Sequence, residues 1–384
     1  MISSMSPMAS DIPYLQLEIP TASAERFWQP PSAFSANGIR WLASLNQMCL
    51  DTLLPWIRDT HAPNAQAWIN PAAMPSIWEV VNGSAIALGQ QRLIIIPTAA
   101  SDFEELRVPQ EWVDLPSWAG HYYVPVYVNP DDGEIWVLGY VTHHTLKQQG
   151  TYDPRDRTYS IASEDLLCDF NVLWTARRLC PNEGLQAAIA PLPSLPLERA
   201  KALIERLGDS TLVVPRLAVP FEVWGALVEH GGWRQQLYQH RLKLPEPGSV
   251  RQWLQTEMSG FAQQLGWGTM NLQAALARGS SYGSANGLVR HLTIAGNLYE
   301  FRVFQQSEAV WRFELQSAAI GGLVPGGFKL RLLTEDLMPF ENNEDSATSA
   351  IAQLYLEVCL SPGDALIWEI EPLPDFYDRE ILRF

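Results

Sequence analysis

Apolar residues recur at three- and four-residue steps over 35–60. Ile39, Leu42, Leu45, Cys49, Leu53 and Trp56 fall on one helical face. The spacing predicts one helix, with Ser35 as its N-cap and Pro55 kinking or ending it. Over 77–142 the pattern changes to short extended runs. Segments 77–81 and 84–88 flank Asn82-Gly83, which predicts a hairpin, and 92–97 continues the meander. Runs 122–128 and 134–142 flank Asn129-Pro130-Asp131-Asp132-Gly133. That is a turn in which proline presets φ and glycine accepts a positive φ. A short helix is expected at 144–149 and an extended run at 158–161, while 169–179 suits helix or strand. Five or six short strands with tight turns predict a small barrel or sandwich.

Residues 181–196 hold Pro181, Pro191, Pro193 and Pro196 and read as a linker. Helical spacing follows at 197–207, 221–229 and 233–242, the last two split by Gly231-Gly232. Val250, Trp253, Leu254, Met258, Phe261 and Leu265 share one face, which predicts a continuous helix over 249–265 capped by Ser249. Residues 267–278 extend the helical block, and 279–287 (GSSYGSANG) form a small-residue hinge. Strands then follow at 289–295, 298–305, 310–316, 328–334, 352–360 and 365–371, with an acidic loop at 341–345. The expected class is α+β. It consists of an N-terminal helix plus an antiparallel β-barrel-like domain (1–180), the linker (181–196), a helical middle segment (197–278), the hinge (279–287) and a C-terminal antiparallel β-sandwich (288–384).

Composition narrows the function. The chain has 384 residues, 47% of them hydrophobic and 18% charged, and a net charge of −16. That balance suits large cores and argues against nucleic acid and anionic membrane surfaces as partners. No run approaches the roughly 20 apolar residues that span a bilayer. The first 20 residues lack the basic and apolar regions of a signal peptide, so a cytoplasmic location is expected. Residues 197–300 carry a net +2, between segments of −10 and −8. Arginine outnumbers lysine 22 to 4 beside 15 tryptophans, a composition suited to bidentate ion pairs and stacking on aromatic rings.

Candidate chemistry is sparse. The G-x-S-x-G run containing Ser281 follows a helical block, whereas a nucleophile elbow needs a strand before it. His143-His144 with Asp153 and Asp156 holds metal-ligating types, but adjacent strand residues point to opposite faces. Asp131, Asp132 and Glu134 lack the rest of a calcium loop. The glycine-rich run 321–327 lacks the lysine position of a phosphate loop. Cys49, Cys168, Cys180 and Cys359 form no CxxC pair and read as free thiols. No cofactor or metal is expected.

Three stretches carry a family resemblance. The first is Val124-Pro125-Val126-Tyr127 leading through Asp132-Gly133-Glu134 to Val137-Leu138-Gly139-Tyr140-Val141. The second is Arg251-Gln252-Trp253-Leu254-Gln255 with Gly266-Trp267 downstream, and the third Leu323-Val324-Pro325 with 330–335. Together they resemble a mainly cyanobacterial family, domain of unknown function 1822. The resemblance implies a soluble regulatory protein and supplies no catalytic residues. The expected function is a non-catalytic regulatory or protein-interaction role with a protein partner. The near-neutral helical middle is the contact surface, with Trp233, Trp253 and Trp267 as anchors. Carbohydrate or small-ligand binding through the C-terminal sandwich is the alternative, and a hydrolase of unfamiliar type the third.

Overall fold

The computed structural model describes residues 14–28, 34–180, 183–256, 258–271 and 286–384. Strand β1 (Leu15–Glu18) and helix α1 (Thr21–Trp28) precede the long helix α2 (Asn37–Thr60). Leu45, Met48, Cys49, Leu53 and Ile57 of α2 are buried at the helical repeat visible in the sequence. The helix passes through Pro55 rather than ending there. The proline sits on the exposed side, and Ile57 beyond it is fully buried. Ser35 does not cap the helix. Its N–H and hydroxyl both donate to the Glu79 carboxylate, and Ala36 holds the cap position.

Then come β2 (Gln66–Ala67), α3 (Met74–Trp78), β3 (Ser84–Leu88), β4 (Gln91–Thr98), β5 (Glu105–Pro109) and α4 (Glu111–Asp114). They are followed by β6 (Tyr122–Asn129), β7 (Glu134–Val137), β8 (Val141–Thr142), α5 (His143–Gln149), β9 (Thr151–Asp153), β10 (Thr158–Ala162) and α6 (Phe170–Leu179). A curled sheet runs β1-β7-β6-β4-β3-β2, with β8 on β6. It is antiparallel except for β4 and β6, which are parallel with Leu93 opposite Tyr122. A second sheet runs β5-β10-β9.

The hairpin expected at Asn82-Gly83 is not formed, because 74–78 is the helix α3. The dipeptide is a packing junction instead. Trp112 Nε1 donates to the Asn82 carbonyl at 2.9 Å, and a Cβ on Gly83 would collide with that indole. Its partner is β4, and the turn is at Gly89. The strand expected over 134–142 is broken at Gly139, whose φ of +136° lets the chain lie against Leu167.

Residues 183–196 carry no helix or strand. Helices α7 (Leu197–Leu207), α8 (Phe221–Glu229) and α9 (Gly231–Leu242) follow. The helix expected over 249–265 is two, α10 (Val250–Gln255) and α11 (Gly260–Gln264). Ser249 caps the first with a capping box, as its position suggests, and Ser259 caps the second. Buried Met258 is carried on the break between them, which is how six apolar residues in helical register come to be served by two short helices. Residues 267–271 are a strand, β11 (Trp267–Asn271), and not helix. The rest of the 267–278 block and 279–285 of the expected hinge, Ser281 included, lie outside the described residues.

The C-terminal strands are β12 (Asn286–Ile294), β13 (Asn297–Gln305), β14 (Val310–Ser317), β15 (Lys329–Thr334), β16 (Glu344–Ser346), β17 (Gln353–Cys359), β18 (Ala365–Glu371) and β19 (Ile381–Arg383). They form two antiparallel sheets, β11-β12-β13-β14-β17 and β16-β15-β18-β19. Alternate residues such as Phe301, Phe313, Leu332 and Trp368 fill the space between them, a sandwich.

Buried apolar side chains gather in two cores. One runs from Ile19 to Leu237 and includes α7, α8 and part of α9. The other runs from Val250 to Phe384. Among the described residues, no helix is long and apolar enough to cross a membrane.

Candidate inter-core cleft

Buried arginines tie the helical segment to the first core. Arg216 grips Glu111 with two parallel bonds of 2.8 and 2.6 Å, and Trp224 Nε1 donates to the same carboxylate at 2.8 Å. Arg241 Nε donates to Glu79 at 2.7 Å, while its Nη atoms reach the carbonyls of Leu207 and Leu212 and the Ser35 hydroxyl. Arg234 donates to Ser76 Oγ, the Val228 carbonyl and Asp378, and stacks over Trp118. This is the chemistry that favours arginine over lysine in a low-dielectric setting.

The start of α9 meets the second core. His230 Nδ1 accepts from Trp233 N–H at 3.2 Å, and Nε2–H donates to the Glu335 carbonyl at 3.0 Å. Those two bonds fix the neutral tautomer. Burial, then the Arg379 charge, lowers the His230 pKa to about 3. Gly231 and Gly232 let the C-terminal segment approach. A Cβ on either would collide with Asp378 or with Ile381.

Beside this contact the cores part to leave a cavity of ≈ 640 Å³. One wall is a single face of α9: Gly231, Gly232, Gln235, Gln236, Gln239 and His240. The opposite face of the same helix carries Trp233, Arg234, Leu237 and Arg241, all buried. Lys243 ends α9 in the left-handed region at φ +54°, and Leu244, Glu246, Pro247 and Gly248 beyond it line the cavity. Gly248, at φ +82°, lies against Trp253, whose Nε1 donates to the Pro247 carbonyl at 2.8 Å. Trp253, Phe261 and Leu265 therefore present an apolar wall.

The floor is charged but compensated. Glu380 accepts from Arg290 at 2.5 Å, Trp368 Nε1 at 2.7 Å and Trp267 Nε1 at 3.2 Å. Arg290 lies over the Trp267 and Trp368 rings at 6.0 and 5.4 Å. Arg379 pairs with Glu369 at 2.9 Å and Asp378 with Arg234. Two α9 carboxamides are not engaged. Gln235 Oε1 is buried with no hydrogen-bond partner. The Gln239 side chain has no partner among the described residues, although the residue is only 9% exposed.

A model of a family described as proteins of unknown function, DUF1822, matches residues 17–383. The chain belongs to that family. No curated relative and no solved structure matches it.

The anchors expected from the DUF1822 sequence divide. Trp253 lines the cavity and Trp267 supports its floor through Glu380, while Trp233 lies on the buried side of α9, stacked on His230 at 4.1 Å. At 3%, 6% and 3% exposure, Trp233, Trp253 and Trp267 present little area to another protein in this arrangement. Gln235, Gln239, Arg290 and Glu380 were not singled out by their sequence pattern. One signal was present: a helix reading WRQQLYQHRL sets glutamines one turn apart, opposite its apolar residues.

The remaining constellations are engaged structurally. His143 Nε2 bonds the Val113 carbonyl at 2.9 Å and Nδ1 accepts from Ala187 N–H at 3.0 Å. Asp153 and Asp156 pair with Arg107. Among the described residues no three His, Cys, Asp or Glu side chains are grouped to hold a metal. Asp131 and Asp132 belong to the turn before β7, where Asn129 bonds Asp132 at 2.8 Å, and Glu134, the first residue of β7, accepts from the Trp136 indole Nε1–H. Asp114, Lys147 and Tyr159 form a closed ring of bonds of 2.7–2.8 Å. Burial raises the Tyr159 pKa, so this phenol is not activated as a base. The outward face of the five-stranded sheet carries a lattice of Glu300, Arg302, Arg312, Glu314 and Glu357 rather than a row of aromatic rings.

Proposed function

We propose that this protein binds a small ligand in the cleft between its two cores, and that it does so in the cytoplasm. The cleft carries the reading. At ≈ 640 Å³ it falls in the size range of small-molecule sites, it joins an apolar wall to a polar one, and it lies between two cores. Binding fits the site better than catalysis, because the floor carboxylates are held by arginines and indole N–H groups rather than poised for proton transfer. The four cysteines are free, consistent with a reducing compartment. The test is a titration of the full chain with Nile red, a neutral solvatochromic dye. The reading predicts saturable one-site binding that is lost in Leu244→Trp, a change at an exposed lining residue that fills the mouth. A dye titration without saturation, or one unaffected by that change, would count against the cleft.

A protein partner is a second reading, supported by a different observation. Leu298, Ile320 and Leu323 are exposed on neighbouring segments, Ile320 completely, and Leu298 accepts the Ala318 N–H at 3.0 Å. Such side chains at a loop tip suit an interface. A tagged chain that captures one partner stoichiometrically, and loses it in Ile320→Asp, would support this reading. Identical captures by both proteins would remove it.

A further inference from the structure

The groups left free in the cleft specify what it takes. We infer that the ligand is a neutral saccharide, held by its hydroxyls on Gln235 and Gln239 and by its C–H face on Phe261, with Trp253 behind it. This rests on the cleft being the binding site.

The argument starts from charge. Arg290 is neutralised by Glu380, Arg379 by Glu369, Arg383 by Glu335 and Lys201 by Glu198. Among the described residues that line the cleft, each Lys and Arg has a carboxylate partner, the Lys201 pair being an exposed one. The lining charges without an ion pair among the described residues are Glu205 and Glu246, both acidic and exposed at the rim, on a chain of net charge −16. An anion is therefore repelled.

Hydrogen bonding comes next. A carboxamide both donates and accepts, as a hydroxyl does, whereas an ion pair satisfies only its counter-ion. Gln239 is about nine-tenths buried with its side chain unpartnered, and Gln235 Oε1 is buried and unpartnered. A buried polar atom without a partner is costly, as at Gln235 Oε1, and the Gln239 carboxamide lines the cavity with no partner among the described residues, so both suit a ligand that bonds them. They stand one helical turn apart, about 5–6 Å between Cβ atoms, and so address two points on one molecule.

The apolar wall completes the match. The Trp253 N–H is already given to Pro247 and its ring, 6% exposed, backs the wall, which leaves Phe261 to offer a ring face to the cavity. A sugar has the corresponding two sides, an apolar C–H face and a rim of hydroxyls. A peptide would instead seek backbone partners along a strand edge, and the glutamine wall is a helix.

The test is calorimetric titration of the full chain with maltose and with cellobiose, beside their anionic aldonates maltobionate and cellobionate. At least one neutral disaccharide should bind at a single site. Gln239→Ala and Gln235→Ala should each weaken it about tenfold, the size expected for one lost bond to a buried group, and the matching aldonate should bind more weakly. Equal or tighter binding of an aldonate would overturn the neutral class. If neither sugar binds while Nile red still saturates a site lost in Leu244→Trp, the saccharide assignment is wrong and the cleft stands. Failure of both sugars and dye would remove the cleft as well.

Discussion

The two faces of α9 belong to the same ten or so residues yet follow opposite rules. On the face toward the first core, Arg241 reaches Glu79, Ser35 and two carbonyls, and Arg234 reaches Ser76, Val228 and Asp378. Each guanidinium is close to saturated. On the face toward the second core, glycines replace side chains, and the carboxamide oxygen of Gln235 and the side chain of Gln239 have no partner among the described residues. A helix that served only to pack would bury both faces equally well. The Trp233 indole N–H on the first face is also buried without a bond, so the contrast lies in the charged groups: a structural seam matches its guanidiniums within the chain, and a site leaves carboxamides to be matched from outside.

The sharpest way to break the comparison is to open the seam. Arg241→Met leaves the Glu79 carboxylate buried without its cation, both groups having 0–1% side-chain exposure. Loss of one partner of a buried pair costs about 3–5 kcal/mol. Urea denaturation should show that loss, and a stability within 1 kcal/mol of the parent would mean that the pair is not what fixes α9. Gly231→Ala acts on the other face, where the added methyl collides with Asp378 and the Arg379 carbonyl. Overpacking of this kind costs about 1–3 kcal/mol. The same denaturation should register it, whereas Gly→Ala in an open helix is stabilising.

The junction also sets an acid limit. His230 is neutral in the folded protein, with a pKa lowered to about 3 from an ordinary 6.5. A lowered pKa means that the unfolded chain takes up the proton first. The contribution is therefore complete above pH 6.5 and is lost as the pH falls toward 3, by about 1.4 kcal/mol per pH unit from this residue. Protonation of Nδ1 also removes the acceptor for Trp233 N–H. His121, lowered to about 4 chiefly by burial, adds to the same limb. Stability measured at pH 7, 6 and 5 should fall, and His230→Asn, which retains a capping acceptor, should flatten the slope. A slope unchanged by that substitution would place the acid sensitivity elsewhere.

Much of the fold was legible because periodicity reports burial directly. The six longer C-terminal strands alternate, and α2 repeats every three or four residues, so both stand near where the pattern put them, whereas the short β16, begun inside the expected acidic loop 341–345, and β19 were not read. Misreadings arose where a long-range contact overrode a local signal. Asn82-Gly83 has hairpin chemistry, but the glycine is required by the Trp112 indole, far along the chain. Ser35 has cap chemistry, but Glu79 takes its hydroxyl. Residues 249–265 keep helical spacing through a break, because two short helices can bury the same stripe. For the site, Trp253 and Trp267 were visible as large apolar side chains. The bond from Trp267 to Glu380 joins β11 to the C-terminal segment, and the cavity depends on the two cores coming together; periodicity within one element encodes neither.

The smallest expected effect on stability is the most direct test of the account. Gln239→Ala removes a side chain that is about nine-tenths buried and yet bonds nothing among the described residues. Urea denaturation of this variant should give a stability within about 0.5 kcal/mol of the parent, as for a residue with no structural partner. A loss of more than about 1 kcal/mol would show that the carboxamide already serves the fold, and the contrast between the two faces of α9 would collapse.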